Sequence, residues 1–140
     1  MELEVKRLDP RAKLPSYARE DDAGLDVYSL EEAVIPARGR ATVRTGIAFA
    51  IPPGYVGLVW DRSGLAAQAG LHHMAGVIDA GYRGEFRVVL LNTTDRDYKV
   101  SGGDKIAQLL IQPIAHVEVQ EVKELLPSER GAGGFGSTGR

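Results

Sequence analysis

Two aspartates stand inside apolar runs of this sequence, each among residues that equip a carboxylate for chemistry. Asp79 closes the run Val77-Ile78 and is followed by Ala80-Gly81-Tyr82-Arg83-Gly84-Glu85, with Gly76 on its other side. The glycines let backbone bend and approach a ligand closely, and Tyr82 sets a flat ring three residues from the carboxylate. That composition suits a pocket wall with a proton acceptor; it also suits an ordinary hairpin turn capped by its own aspartate. Asp26 lies between Leu25 and Val27. Paired carboxylates recur where a divalent cation assists phosphoryl chemistry, Mg²⁺ often acting through its bound water.

A second group of residues suits an anion. Arg62-Ser63-Gly64 precedes Leu65-Ala66-Ala67-Gln68-Ala69, a short helical run closed by Gly70. Free N–H groups at a helix start, a guanidinium and a hydroxyl together hold phosphate. The plainer alternative is Ser63 as N-cap beside a surface arginine. Gln108 interrupts the apolar run from Ile106 to Ile111, either facing solvent on a half-buried strand or reaching into a site. The tail carries Arg130, Phe135, Gly136, Ser137 and Thr138 on a glycine-rich backbone. A frayed end fits, and so does a cover over a phosphorylated aromatic ligand, the arginine on phosphate and the ring on a base. A P-loop does not fit, because its lysine and following helix are missing. His72-His73 has no third ligand at a recognisable spacing and reads as a structural or solvated pair.

These residues need a scaffold, and the chain supplies short strands. Leu3–Leu8, Leu25–Tyr28, Thr42–Ile51, Tyr55–Trp60, Glu85–Asn92, Tyr98–Val100, Ile106–Ile111 and Val117–Val122 are β-forming or alternating, and Gly/Pro turns separate most of them. With one short helix, the pattern predicts an all-β sandwich or jelly-roll barrel. Trp60 and Phe49 are assigned to the core. The 140 residues suit one domain, taken as 1–129 with a flexible arm at 130–140. A net charge of -2 and 6% aromatic content argue against a nucleic-acid partner bound through a basic, aromatic face. No cysteine is present, which excludes disulfides and thiolate metal sites. No run is apolar enough for a membrane, and Met1–Lys6 has no signal-peptide core, so a cytoplasmic protein is expected.

Five pieces of the chain, in order, resemble the five motifs of the trimeric dUTP pyrophosphatases (dUTPases). They are Ala23-Gly24-Leu25-Asp26-Val27-Tyr28-Ser29, Arg62-Ser63-Gly64-Leu65-Ala66, the stretch Gly76 to Glu85, Gly103-Asp104-Lys105-Ile106-Ala107-Gln108-Leu109, and the tail Arg130 to Gly139. The resemblance implies a distorted jelly-roll-like β-barrel, a homotrimer with shared active sites, and Mg²⁺-dependent hydrolysis of dUTP to dUMP and pyrophosphate. It implies that Asp79 deprotonates the attacking water and touches the sugar 3′-hydroxyl. Tyr82 would pack on the deoxyribose and leave no room for a 2′-hydroxyl. Arg62, Ser63 and the Gly64 amide would bind phosphates, and Gln108 would hold phosphate or the attacking water. Main chain at Gly76, Val77 and Ile78, with Arg87 and His73 nearby, would read the uracil. Phe135 would cover the base and Arg130 the γ-phosphate, with Gly136 and Ser137 closing alongside. Asp26 would reach the metal through water.

The implied chemistry is coherent, since a phosphoanhydride needs charge neutralised and a water placed in line, with no covalent nucleophile. Three positions depart from the family pattern: Lys105 where arginine is frequent, His73 where asparagine is common, and Asp61, an acid that must point away from any phosphate beside it. The rival readings are a dCTP deaminase-like enzyme and a non-catalytic nucleotide-sensing trimer. The deaminases of this fold carry a catalytic Glu where Val89 stands, and a sensor does not require Asp79.

Overall fold

A computed structural model describes residues 1–139; Arg140, the last residue of the expected arm, lies outside the described residues. In chain order the strands are β1 (Glu4–Arg7), β2 (Leu25–Tyr28), β3 (Ala33–Ile35), β4 (Arg40–Arg44), β5 (Ile47–Ala50), β6 (Tyr55–Trp60), β7 (Leu71–Met74), β8 (Val77–Ile78), β9 (Arg87–Asn92), β10 (Tyr98–Val100) and β11 (Lys105–Pro113). One helix, α1 (Ser63–Ala69), joins β6 to β7. The strands form antiparallel sheets ordered β2-β11-β6-β8 and β4-β9-β7, with the smaller pairs β1-β5 and β3-β10. The result is the distorted jelly roll expected, its sheets not closed into one continuous barrel.

Alternation sets the core. Along β9, Val88, Leu90 and Asn92 point inward while the residues between them are less buried. They meet Val43, Ile35, Val100, Ile106 and Leu109, and Phe49 packs edge-on against Phe86 with ring centroids 5.1 Å apart. Asn92, fully buried, donates its amide to the carbonyls of Ile35 and Arg96 and accepts from the Thr94 N–H, so its burial leaves nothing unpaired.

Four expectations are corrected. The run Thr42–Ile51 is two strands in different sheets, broken at Thr45-Gly46, where Gly46 turns with φ 70° and a Cβ would sit 2.8 Å from Leu30 Cδ1. The helix begins at Ser63, but its cap is Arg62 in extended conformation, with no side-chain cap bond; Gly70 closes it in the left-handed region as expected. Trp60 is not in the core: it ends β6 with its outward alternation and is 53% exposed. Val117–Val122 forms no strand, although it alternates, because no sheet edge of the chain receives it; Val119 is 90% exposed and Leu126, further along, 93%.

Candidate active site

The stretch around Asp79 is built by a tight turn and a sheet edge. β7 ends at Met74, and Ala75 (φ 61°) and Gly76 (φ 114°) reverse the chain into β8. A Cβ on Gly76 would stand 3.2 Å from both the Val59 carbonyl and His73 Cδ2, so this glycine serves close backbone approach as well as φ. The Val59 N–H donates to the Gly76 carbonyl, and β8 pairs with Gly57 and Leu58 of β6. β8 is the last strand of its sheet, which leaves its outer main-chain edge free to pair with a ligand. Beyond it a turn brings the Tyr82 N–H onto the Asp79 carbonyl at 3.1 Å. The Tyr82 hydroxyl donates to the Glu85 carbonyl at 2.9 Å, and the ring passes so close to Gly84 that a Cβ there would be 2.5 Å from the hydroxyl.

Gly76, Val77, Ile78, Asp79, Tyr82 and Arg87 line one cavity of about 260 Å³. Arg87 is held from beneath by Glu85, which it meets at 3.0 Å. Glu85 also takes Arg44 at 3.1 Å and the Gly46 N–H at 3.1 Å. Burial alone would lift its carboxyl, but the Arg44, Arg87 and Gly46 hydrogen bonds outweigh that and hold it below the usual range.

Asp26, Arg62, Ser63, Gly64 and Gln108 line a second cleft of about 240 Å³, together with Gly24 and Asp22. Strand register explains the meeting: Gln108 of β11 stands opposite Asp26 of β2 on one side and Trp60 of β6 on the other, one strand end before Arg62. A register shift in β11 between Lys105 and Ala107 accompanies a contact the sequence reading missed, Lys105 Nζ at 2.7 Å from Asp26 Oδ2. Arg62 Nε lies 3.4 Å from the other carboxylate oxygen, so buried Asp26 is flanked by two cations. Gln108 does not face solvent. Its Nε2 donates to the Asp61 carbonyl at 2.7 Å, and its Oε1 lies against Gly24, where a Cβ would be 2.4 Å away.

Asp61 does point away from the cleft. Its carboxylate takes His72 Nδ1 at 2.5 Å, His73 Nδ1 at 2.8 Å and the His73 main-chain N–H at 2.6 Å. Burial would raise that carboxyl, yet the histidine hydrogen bonds keep it below the ordinary value. His73 therefore has one ring nitrogen engaged with Asp61, and its ring lies against Gly76 without lining the first cavity. Sequence spacing gave no signal for this cluster, because helix α1 intervenes between its members. The arm folds on itself. Arg130 Nε donates to the Gly133 carbonyl at 2.7 Å, the Ser137 N–H donates to the Gly134 carbonyl, and Phe135 is fully exposed with φ 52°. Arg130, Phe135, Gly136 and Ser137 share a concavity of the arm itself.

The dUTPase family model matches residues 10–139. The chain belongs to the dUTPase family. It is similar to the deoxyuridine 5′-triphosphate nucleotidohydrolase of Thermobifida fusca (strain YX), with 52% identity over 98% of this chain and 78% of the relative. It is also similar to that of Paramecium bursaria Chlorella virus 1, with 48% identity over 96% of each. Among solved structures, the Staphylococcus bacteriophage 80alpha dUTPase with dUPNHPP superposes with a TM-score of 0.94 at 34% identity, covering 99% of both chains. A mutant dUTPase of phage phi11 of S. aureus, described with a structural Mg(II) ion, superposes with a TM-score of 0.83 at 31% identity over 89% of this chain and 99% of that one.

Proposed function

We propose that this dUTPase hydrolyses dUTP to dUMP and pyrophosphate at a site assembled from three subunits, with Asp79 as the base that activates water. The observation that carries this reading is the division of the site residues into three places. Base-side groups line the first cavity, phosphate-side groups line the second cleft, and the arm holds its own group apart. Association in a closed ring brings complementary parts of neighbouring subunits together. The exposed apolar side chains of Val117, Val119, Leu125 and Leu126 support it, since a second subunit would cover them.

In the proposed complex the uracil enters the first cavity and pairs with the outer edge of β8. Cytosine inverts one donor and acceptor there and leaves polar groups unpaired, a mismatch worth a factor of about 10⁴. The Tyr82 ring backs the deoxyribose, with its hydroxyl tied to Glu85 and its face packed over Gly84. Asp79 reaches the 3′-hydroxyl and takes a proton from the water aimed at the α-phosphorus. Arg62, Ser63 and the Gly64 amide hold the phosphates, and Gln108, one N–H anchored on the Asp61 carbonyl, offers Oε1 as the acceptor that orients the water. The arm then closes, Phe135 over the base and Arg130 on the γ-phosphate, with Gly136 and Ser137 beside them.

The second cleft fits Mg²⁺ in one particular way. Asp22, Asp26 and Gln108 supply oxygen donors of the kind a hard cation takes. Both Asp26 oxygens already meet cationic nitrogens, so Asp26 would hold the ion through its water shell. Bound there with the triphosphate, Mg²⁺ neutralises charge on the phosphates. A cytoplasmic location is part of the proposal; among the described residues no helix is long and apolar enough to cross a membrane. The deaminase reading is not retained, since apolar Val89 lines the base cavity where that chemistry needs a carboxylate. Pyrophosphate release from dUTP, dCTP, dTTP and UTP, with and without Mg²⁺, tests the assignment. Turnover of dUTP alone is expected, and binding of dUTP without turnover would favour a sensor.

A further inference from the structure

The loop after β6 and the strand β7 bring together three side chains with no part in the reaction proposed above. Neighbouring residues of a strand normally face opposite ways. His72 and His73 nevertheless present both Nδ1 atoms to the two oxygens of one carboxylate, Asp61, with ring centroids 5.0 Å apart. Among the described residues, these three offer ligand atoms that all lie within 4.8 Å of one another. The inner half is held in place: His73 is largely buried, and its main-chain N–H fixes the Asp61 carboxylate at 2.6 Å. The outer half is open, because the His72 ring is exposed.

We propose that Asp61, His72 and His73 form a binding site for an imidazole-preferring divalent cation such as Zn²⁺ or Co²⁺, separate from the oxygen-lined cleft at Asp26. Two neutral imidazoles and one carboxylate make a borderline-soft donor set that such ions take with N–metal distances of about 2.0–2.1 Å. Mg²⁺ prefers an all-oxygen shell and does not compete for it. Without metal, the carboxylate oxygens stand 2.5 and 2.8 Å from the two ring nitrogens, so each contact is a hydrogen bond. Binding replaces those bonds: each ring keeps one proton, moved from Nδ1 to Nε2, and an imidazolium ring releases its extra proton to solvent. Three protein ligands and exposed His72 leave the fourth position to water. The ion would pin the end of β6 to β7, directly behind the Asp61 carbonyl that receives Gln108.

Trp60, the only tryptophan, provides the test, since its ring centroid lies 6.1 Å from that of His73. Co²⁺ is titrated into the full-length, nucleotide-free protein in excess Mg²⁺ while Trp60 fluorescence is read. Saturable quenching at one ion per chain is expected, reversed by Zn²⁺. His72→Ala and Asp61→Asn should each weaken the Co²⁺ affinity by at least about tenfold. His72→Ala, at an exposed position, should keep its melting temperature and its Mg²⁺-supported hydrolysis of dUTP. Quenching that does not saturate, that excess Mg²⁺ abolishes, or that survives unchanged in both variants overturns the proposal.

Discussion

In the proposed reaction Asp79 and Gln108 would divide the labour of placing a water: one accepts its proton and the other, its amide anchored on the Asp61 carbonyl, holds it. Asp79→Asn should lower kcat for dUTP by about 10²- to 10⁴-fold, the usual contribution of a general base, while nucleotide binding followed by calorimetry persists. An unchanged kcat would remove Asp79 from the reaction. Gly24 matters for what it lacks, because a Cβ would lie 2.4 Å from Gln108 Oε1. Gly24→Ala should therefore push the amide off Asp61, reducing kcat and lowering the melting temperature as that hydrogen bond is lost. Glu85 gives the site a pH dependence of its own. Its carboxyl is depressed from the ordinary value of 4.5, so its contribution to stability is complete above that pH and is lost as pH falls through the lower folded-state value. Acid unfolding profiles should be shallower for Glu85→Gln, which has no charge left to neutralise.

At the scale of elements, the turn from β7 to β8 leaves little room for change. Gly76→Ala forces a side chain into φ 114° against the Val59 carbonyl, a strain of about 1–3 kcal/mol, and should lower the melting temperature and weaken dUTP binding together. The sequence revealed such elements where alternation and punctuation agreed, as in β9, in β6 and in the helix stopped by Gly70. It hid the break at Thr45-Gly46, since a β-branched run looks the same whether it crosses between sheets or not. Val117–Val122 carried a true strand pattern with no partner strand among the described residues, and pairing is a property of both edges. Glycines and lone polar groups interrupting apolar runs marked the residues of the two clefts but left them open between site and scaffold; it was the resemblance to five ordered motifs that grouped them. Lys105 beside Asp26 and the histidines on Asp61 were not, for these contacts depend on register and on where a helix returns the chain.

For the whole molecule, the proposed sharing of the site between subunits makes a prediction that no single-chain enzyme would share. Asp79→Asn and Arg62→Ala should each be nearly inactive. Mixed and reassembled in equal amounts, they should regain about a quarter of wild-type turnover, the random-mixing expectation for a site drawing those two residues from different subunits. No recovery after verified subunit exchange would place both residues in one chain's site. Light scattering should report a trimer, and truncation at Pro113 should shift it toward smaller species, because it removes the apolar side chains beyond β11 that would pack on a neighbouring subunit.

In the proposed assembly, the separation of the first cavity from the second cleft would also make dilution an off switch. A folded but solitary chain has both a base cavity and a phosphate cleft but cannot bring them onto one nucleotide, so catalysis would start only where encounters between copies outpace their parting. Specific activity measured over a falling protein concentration should stay level and then collapse, while circular dichroism reports an intact β-fold throughout.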